Sequence, residues 1–407
     1  MKPALTLTQQ TWMRNAALIS VMDALGDGNA LIVGGAVRSA VLGEALADVD
    51  IATFLTPDQV TKACESAGLK VVPTGIDHGT VTVVADHQGF EVTTLRRDVA
   101  TDGRRAVVAF STDWTEDAQR RDFTMNTLLM DMKGQVYDVT GQGIDDLKNG
   151  VVRFVGDPDT RIAEDSLRIL RFFRFHARYG KGDPLENAFS ACTRGAGLIE
   201  NLSRERVTQE LVRLFPAKGS GASIQSMIDG GILSGLWSSC FNQNVYATLY
   251  VTAVNAQFSS FETSLFAYSI YEPEFEKTDQ KFSKYLSLSN RQKDYMTQCF
   301  KFIEDHSDSH ENNLYLFGQD VTLVGMLLFN AIKRKCTDPS ALTALLEEIR
   351  QIPVPALPVK AGDVMSVAHL SQGKEVGVLL KKVEAFWLSR NTKPDKQECL
   401  DYVKTLL

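Results

Sequence analysis

The sequence predicts an α+β protein in which a head built on a mixed sheet precedes an all-helical remainder. Three observations predict it. Short β-rich runs fill the first 150 residues, apolar residues at helical spacing fill the rest, and the change of regime falls near residue 150.

In the first region the runs are 30–33, 48–54, 80–85, 90–95 and 127–132. The glycine-bearing turns DHGT and DHQGF separate them, and helical stretches around 11–25 and 57–67 interrupt them, so a mixed sheet is the expected solution. Beyond residue 150, Val207, Leu211 and Leu214, and then Leu342, Leu345, Leu346 and Ile349, follow the spacing of one buried helix face. The proline-rich stretch IPVPALPVKAGD, 352–363, is expected as a turn between helical units.

Composition narrows the classes. A chain of 407 residues that is 44% hydrophobic and 23% charged is ordinary globular protein, long enough for two to four packed units. No apolar run reaches the roughly 20 residues of a membrane span, and MKPALTLTQQTWMRN lacks the apolar core of a signal peptide, so a cytoplasmic protein without membrane contact is expected. The six cysteines, Cys64, Cys192, Cys240, Cys299, Cys336 and Cys399, are scattered without a C-x-x-C pair and are expected as reduced packing residues. The histidines show no metal-ligand spacing, and His78 in DHGT is expected to be structural. A net charge of −7 argues mildly against nucleic acid, yet arginine concentrates between Arg96 and Arg178, which allows a basic face on an acidic chain.

The chemistry begins at LIVGGAVRSAVLGEALADVDIAT. An apolar strand runs into Gly34 and Gly35, where backbone N–H groups at a helix start can approach a polyphosphate, and Arg38 one turn on can add a charge-assisted contact. Asp48 and Asp50 follow, one residue apart. On a strand both would face the same way, and two carboxylates held that close repel unless a cation lies between them. Oxygen-only ligands suit Mg²⁺, which also bridges nucleotide phosphates. Glu91, on FEVTTLR, is a candidate third carboxylate.

GGAVRS with DVD resembles the signature of the polymerase-β-like nucleotidyltransferases. RRDFTMN, VVRFVGDPDTRIAEDSLRILRFFRF and LSRERVTQEL then resemble, in order, the motifs of the class II tRNA nucleotidyltransferases that build the CCA end, a family that also contains bacterial poly(A) polymerases. The likeness is continuous from about residue 30 to 215. It implies a polymerase-β-like head at 1–150, a helical neck at 151–215 with the base-reading motif, a helical body at 216–290 and a helical tail at 291–407. It implies tRNA, CTP and ATP as partners, and no obligatory protein partner is inferred. It also implies that Arg121, Asp122 and Asn126 contact the ribose, and that DVATDGRRAVVAFSTDW is a mobile loop used in the switch from C to A addition. One departure stands out, Ser39 where the family usually has aspartate; Ser166, where poly(A) polymerases tend to have proline, tilts the resemblance towards tRNA.

In AEDSLRILR a continuous helix would set Glu164 one turn before Arg168 at i,i+4 and Asp165 beside the same arginine at i,i+3. One carboxylate then braces the guanidinium while Asp165, an acceptor, stands next to Arg168, a donor. Cytosine and adenine both present an amino donor beside a ring nitrogen acceptor, which fits; uracil and guanine present the reverse and are rejected. Glu164, Asp165, Arg168 and Arg171 form the expected base-reading set. The reaction expected is template-independent addition of CCA to tRNA with release of pyrophosphate. The alternatives are a poly(A), CC-adding or A-adding enzyme of the same family and, more distantly, a non-catalytic RNA-binding protein.

Overall fold

The computed structural model describes residues 1–46, 48–76, 79–102, 105–232, 252, 286–332 and 338–407, so His78, Cys240 and Cys336 lie outside the described residues. The chain divides into two compact units, Met1–Ser239 and Cys240–Leu407. That division falls inside the stretch expected as the body, much of which also lies outside the described residues.

The β-rich runs of the first unit form one eight-stranded mixed sheet, ordered β1-β10-β9-β2-β3-β6-β5-β4. Its strands are β1 (Leu5–Thr6), β2 (Ala30–Val33), β3 (Asp50–Thr53), β4 (Lys70–Gly75), β5 (Thr80–Ala85), β6 (Gln88–Thr94), β9 (Leu128–Met130) and β10 (Gln135–Asp138). Every neighbouring pair is antiparallel except β3 and β6. Helices α1 (Ala16–Leu25) and α3 (Pro57–Ser66) cover one face, burying Leu18, Val21, Ile51, Val60, Val83 and Val92. The opposite face packs Leu31, Val33, Ala52, Leu95, Trp114 and Leu129 in a second cluster. Residues 51 and 52 thus serve different cores, as the pleat requires.

The segment before RRDFTMN contains an antiparallel ribbon of β7 (Arg96–Asp102) and β8 (Arg105–Phe110), with Arg96 opposite Phe110. One expectation is corrected here. Strand 48–54 is shorter than expected and starts at Asp50. Its antiparallel partner β2 ends at Val33, opposite Asp50, and then turns at Gly34 into α2 (Gly35–Leu42), so Asp48 has no ladder partner on that side.

After α4 (Trp114–Gln119) and α5 (Gly143–Asn149) the first unit continues as α6 (Pro158–Glu164), α7 (Leu167–Tyr179), α8 (Glu186–Arg194), α9 (Arg204–Leu214) and α10 (Ser220–Asp229). Phe172 and Phe175 of α7 pack on Phe123, Phe172 also stacks on Phe154 and meets Phe173 edge-on, so these rings are core. Val207, Leu211 and Leu214 turn α9 onto the same core.

The described part of the second unit is helical. It comprises Asn290–Asp305, His310–Ile332 (kinked at Gly318), Pro339–Gln351, Ala361–Ala368, Lys374–Ser389 and Lys396–Thr405. The proline-rich stretch joins two of these helices, and Trp387 and Val383 anchor a terminal core. Cys64, Cys192, Cys299 and Cys399 are buried and free. No helix among the described residues is long and apolar enough to cross a membrane.

Candidate active site

A cleft of about 710 Å³ lies within the first unit, with residues of the sheet on one wall and of α7 and α9 on the other. On the sheet side β2 ends at Gly34, which adopts φ 71° and caps α2. A Cβ there would stand 3.0 Å from Oδ2 of Asp50, so glycine is required both by the positive φ and by the carboxylate against it. Gly34 and Gly35 line the cleft at the start of α2, where helix N–H groups lack internal partners.

Asp50 and Glu91 are Cα partners in the parallel β3–β6 pair. Burial, then the charges of Glu91 and Asp48, push the Asp50 carboxyl above its ordinary value, against the opposing pull of Arg38 and Arg121. Asp48 is exposed and lines, with Asp50 and Glu91, an adjoining hollow of about 560 Å³. The three carboxylates therefore line one hollow beside the start of β3, in the middle of the sheet, although strand pleat does not place Asp48 there. Among the described residues no three His, Cys, Asp or Glu side chains close into a metal-ligand set of their own.

The helical wall is an ion-pair lattice. Asp117, 2% exposed, accepts from both Arg120 and Arg121, and Arg121 also donates to the Asn126 carbonyl. Burial raises the Asp117 carboxyl, but the two guanidiniums outweigh it and hold the group below its ordinary value. Arg38 donates to Asn126 Oδ1 at 2.6 Å, Asn126 Nδ2 donates to Asp122 Oδ1 at 2.7 Å, and Arg171 Nε donates to Asp122 Oδ2 at 2.6 Å. Arg171 also faces Glu210 at 3.7 Å, and Glu210 accepts from Arg174 at 2.5 Å. Asp122 accepts from the Phe123 N–H as well, so three of its roughly four acceptor positions are engaged. Burial raises Asp122, yet Arg171, Asn126 and Phe123 together hold it below the usual carboxylate range.

The base-reading segment departs from the continuous helix expected. α6 ends at Glu164, Asp165 is extended (φ −155°, ψ 104°), and α7 begins at Leu167. The Leu167 N–H donates to Asp165 Oδ1, a local turn that competes with the helix. Arg168 still reaches Glu164 at 2.5 Å and also donates to the Arg161 carbonyl, so the expected brace holds across the break. Asp165 itself accepts from Arg206 of α9 at 2.8 Å. Both Asp165 and Arg168 line the cleft, as do Gly34, Gly35, Arg38, Asp50, Glu91, Arg121, Asp122, Asn126 and Arg171; Asp48 lies in the adjoining hollow and Glu164 behind Arg168.

Sequence reasoning missed Asp117, Arg206 and Glu210. Asp117 sits at i,i+3 and i,i+4 from Arg120 and Arg121 and was detectable. Glu210 had no local signal, because its partner Arg174 is 36 residues away.

Residues 30–153 match the model described as the poly A polymerase head domain, and 185–238 match one described as a probable RNA and SrmB-binding site of polymerase A. The mitochondrial CCA tRNA nucleotidyltransferase 1 of Mus musculus is 34% identical over 92% of this chain and 86% of its own length. The chain belongs to the CCA tRNA nucleotidyltransferase family. The CCA-adding enzyme of Oceanobacillus iheyensis is 32% identical over 91% of this chain and 92% of its own. Among solved structures, the Bacillus stearothermophilus CCA-adding enzyme in complex with CTP superposes with a TM-score of 0.72 at 22% identity, covering 96% of both chains. The Thermotoga maritima CCA-adding enzyme complexed with tRNA gives 0.67 at 18%, over 95% of this chain and 94% of that one. Those two likenesses carry the fold of the CCA tRNA nucleotidyltransferases, including the polymerase-β-like head. Enzymes of this family are typically metal-dependent.

Proposed function

We infer that the protein adds CCA to the 3′ end of tRNA from CTP and ATP, without a nucleic-acid template, and releases pyrophosphate. The observation that carries this reading is the 34% identity to a CCA tRNA nucleotidyltransferase over 92% of the chain. The RNA 3′-hydroxyl attacks the α-phosphorus in line; a new P–O bond forms as the bond to the pyrophosphate oxygen breaks.

Gly34, Gly35 and Arg38 hold the triphosphate, and Arg121, Asp122 and Asn126 face the ribose. Asp165 accepts from the base amino group and Arg168, braced by Glu164, donates to the ring nitrogen, which admits cytosine and adenine. In the same reading Arg171 positions Asp122, because the two are bonded at 2.6 Å. The raised Asp50 carboxyl, crowded by Glu91 and Asp48, fits a divalent cation held by Asp48 and Asp50 with Glu91 beside them. Mg²⁺ takes one or two carboxylates and completes its shell with phosphate and water, which suits a hollow that closes no ligand set of its own. When bound, such an ion supplies charge stabilisation to the attacking and leaving oxygens. The chain is divided into head, neck, body and tail, and it acts in the cytoplasm.

The test is primer extension with Mg²⁺ on tRNA transcripts ending before CCA, after C and after CC, each with single nucleotides and with CTP plus ATP. Extension that stops at CCA and ignores UTP and GTP is expected. Long A tails on any RNA would make the protein a poly(A) polymerase, and tight RNA binding without incorporation would make it a binding module.

A further inference from the structure

Among the described residues that line the cleft Phe175 is the one aromatic, and it is only 3% exposed; Tyr179, one turn on, also lies within 5.6 Å of the Arg38 guanidinium. A ring so buried is not a platform for a base. What lies over it instead is guanidinium: Arg174 with Cζ 4.5 Å from the centroid, Arg38 at 5.2 Å and Arg171 at 5.7 Å. Arg38 comes from α2 beside the Gly34–Gly35 corner, whereas Arg171 and Arg174 belong to α7, the helix that carries Arg168 in its first turn.

We propose that Phe175 is a positioning residue that ties alignment of the triphosphate to selection of the base. The inference rests on the roles assigned above to Arg38 and Arg168. Its physical basis is a difference between the three arginines. Asp122 and Glu210 neutralise Arg171 and Arg174, but the hydrogen-bond partners of Arg38 are neutral, Asn126 Oδ1 and the Tyr179 hydroxyl. A carboxylate under Arg38 would hold it and cancel the charge that a phosphate needs. An aromatic face holds a cation through its quadrupole and leaves the charge in place.

The contacts also close on themselves. Arg38 bonds Asn126, Asn126 bonds Asp122, Asp122 bonds Arg171, and Arg171 and Arg38 both return to the Phe175 ring. Arg168, Arg171 and Phe175 stand at i, i+3 and i+7, one face of a single helix. A base that seats against Arg168 and steadies α7 therefore steadies the ring on which the phosphate-holding arginine rests. A wrong base leaves both loose.

The experiment replaces Phe175 in the full chain with mono-, di- and trifluorinated phenylalanine, which weakens the ring face stepwise and keeps the apolar bulk. Phe175→Met, similar in volume and without a π face, is the second variant. We expect kcat/KM for CTP and for ATP to fall stepwise, reaching about tenfold at the trifluoro ring and in the Met variant, with KM for tRNA unchanged. Slow UTP incorporation should fall less, so discrimination narrows. Thermal midpoints across the fluorinated series should stay level, which a packing role alone would also give; the stepwise kinetic loss is what separates the two. A flat series in a wild type that extends tRNA overturns the proposal, as does equal loss for UTP. Direct binding of CTP to the full chain is measured in parallel. If wild type binds CTP but never extends RNA, the function assigned above fails, and a stepwise weakening of CTP binding would still establish the ring's role.

Discussion

The two walls of the cleft hold their charges in opposite ways. On the sheet side Asp50 and Glu91 are fixed by backbone register, Asp48 stands near them on the approach to β3, and the Asp50 carboxyl is pushed up by its neighbours. On the helical side Arg120, Arg121, Arg168, Arg171 and Arg174 each carry a carboxylate partner, and Asp117 and Asp122 are held down. One wall crowds like charges, which raises the Asp50 carboxyl; the other pairs its guanidiniums with carboxylates. The contrast suits a reaction in which the nucleotide is recognised on the paired wall and transferred beside the crowded carboxylates.

The comparison can be broken most severely at Asp50. Asp50→Asn should lower extension by about 10⁴-fold, the loss of several kcal/mol of charge stabilisation, while RNA binding measured by filter retention stays within twofold of wild type, about 0.4 kcal/mol. On the opposite wall Glu210→Ala strands Arg174 and loosens Arg171, and chemical denaturation should show a loss of about 3–4 kcal/mol. A metal titration sharpens the contrast next. At a hundredfold excess over its dissociation constant Mg²⁺ should stabilise wild type by about 2.7 kcal/mol and leave Asp50→Asn unmoved. An equal gain in the variant would place the ion elsewhere.

The two walls should also differ in the sign of their pH dependence. Asp117 and Asp122 have folded values below the unfolded 3.8, so their contribution is complete above that value and disappears as pH falls through the folded values. Each proton adds a slope of about 1.4 kcal/mol per pH unit within its window. Asp50, whose folded value is raised, contributes the reverse: stability falls as pH rises from 3.8 through its folded value, and Asp50→Asn should remove that counter-slope from an unfolding series. Smallest of all is Arg194→Ala, which breaks an ion pair exposed on both sides and should change stability by no more than about 0.5 kcal/mol.

Much of the sheet wall was legible in the sequence because its logic is local. Gly-Gly after an apolar run and Asp-x-Asp before another are recognisable without knowing what lies opposite, and the runs at 30–33 and 80–85 match β2 and β5. The short strands β1 and β10 carry too few residues to show a period, and the ribbon of β7 and β8 hid behind a stretch rich in Asp, Arg and Thr. On the helical wall the local part was legible too: the Glu164–Arg168 brace is an i,i+4 pair. What was not legible is the break at Asp165, where a side chain bonded two residues ahead overrode the helical pattern, and the long-range partners Arg206 and Glu210, which only folding brings to Asp165 and Arg174. Phe175 illustrates a subtler limit. Its place on an apolar helix face is local, but burial alone does not tell whether a ring is packed against carbon or against cations.

The parallel register of β3 and β6 makes the acidic cluster sensitive to counting rather than to chemistry. Asp50 lies opposite Glu91 because the ladder aligns them, and Val92, the next residue, is 1% exposed in the opposite core. Lengthening the strand by a single residue between Gln88 and Glu91 would not shift the carboxylate by a small distance; it would exchange the two faces, burying a charge among Ile51 and Val83 and turning a valine toward the cleft. Side chains around the cluster can therefore vary widely, while the length of the chain that delivers Glu91 cannot.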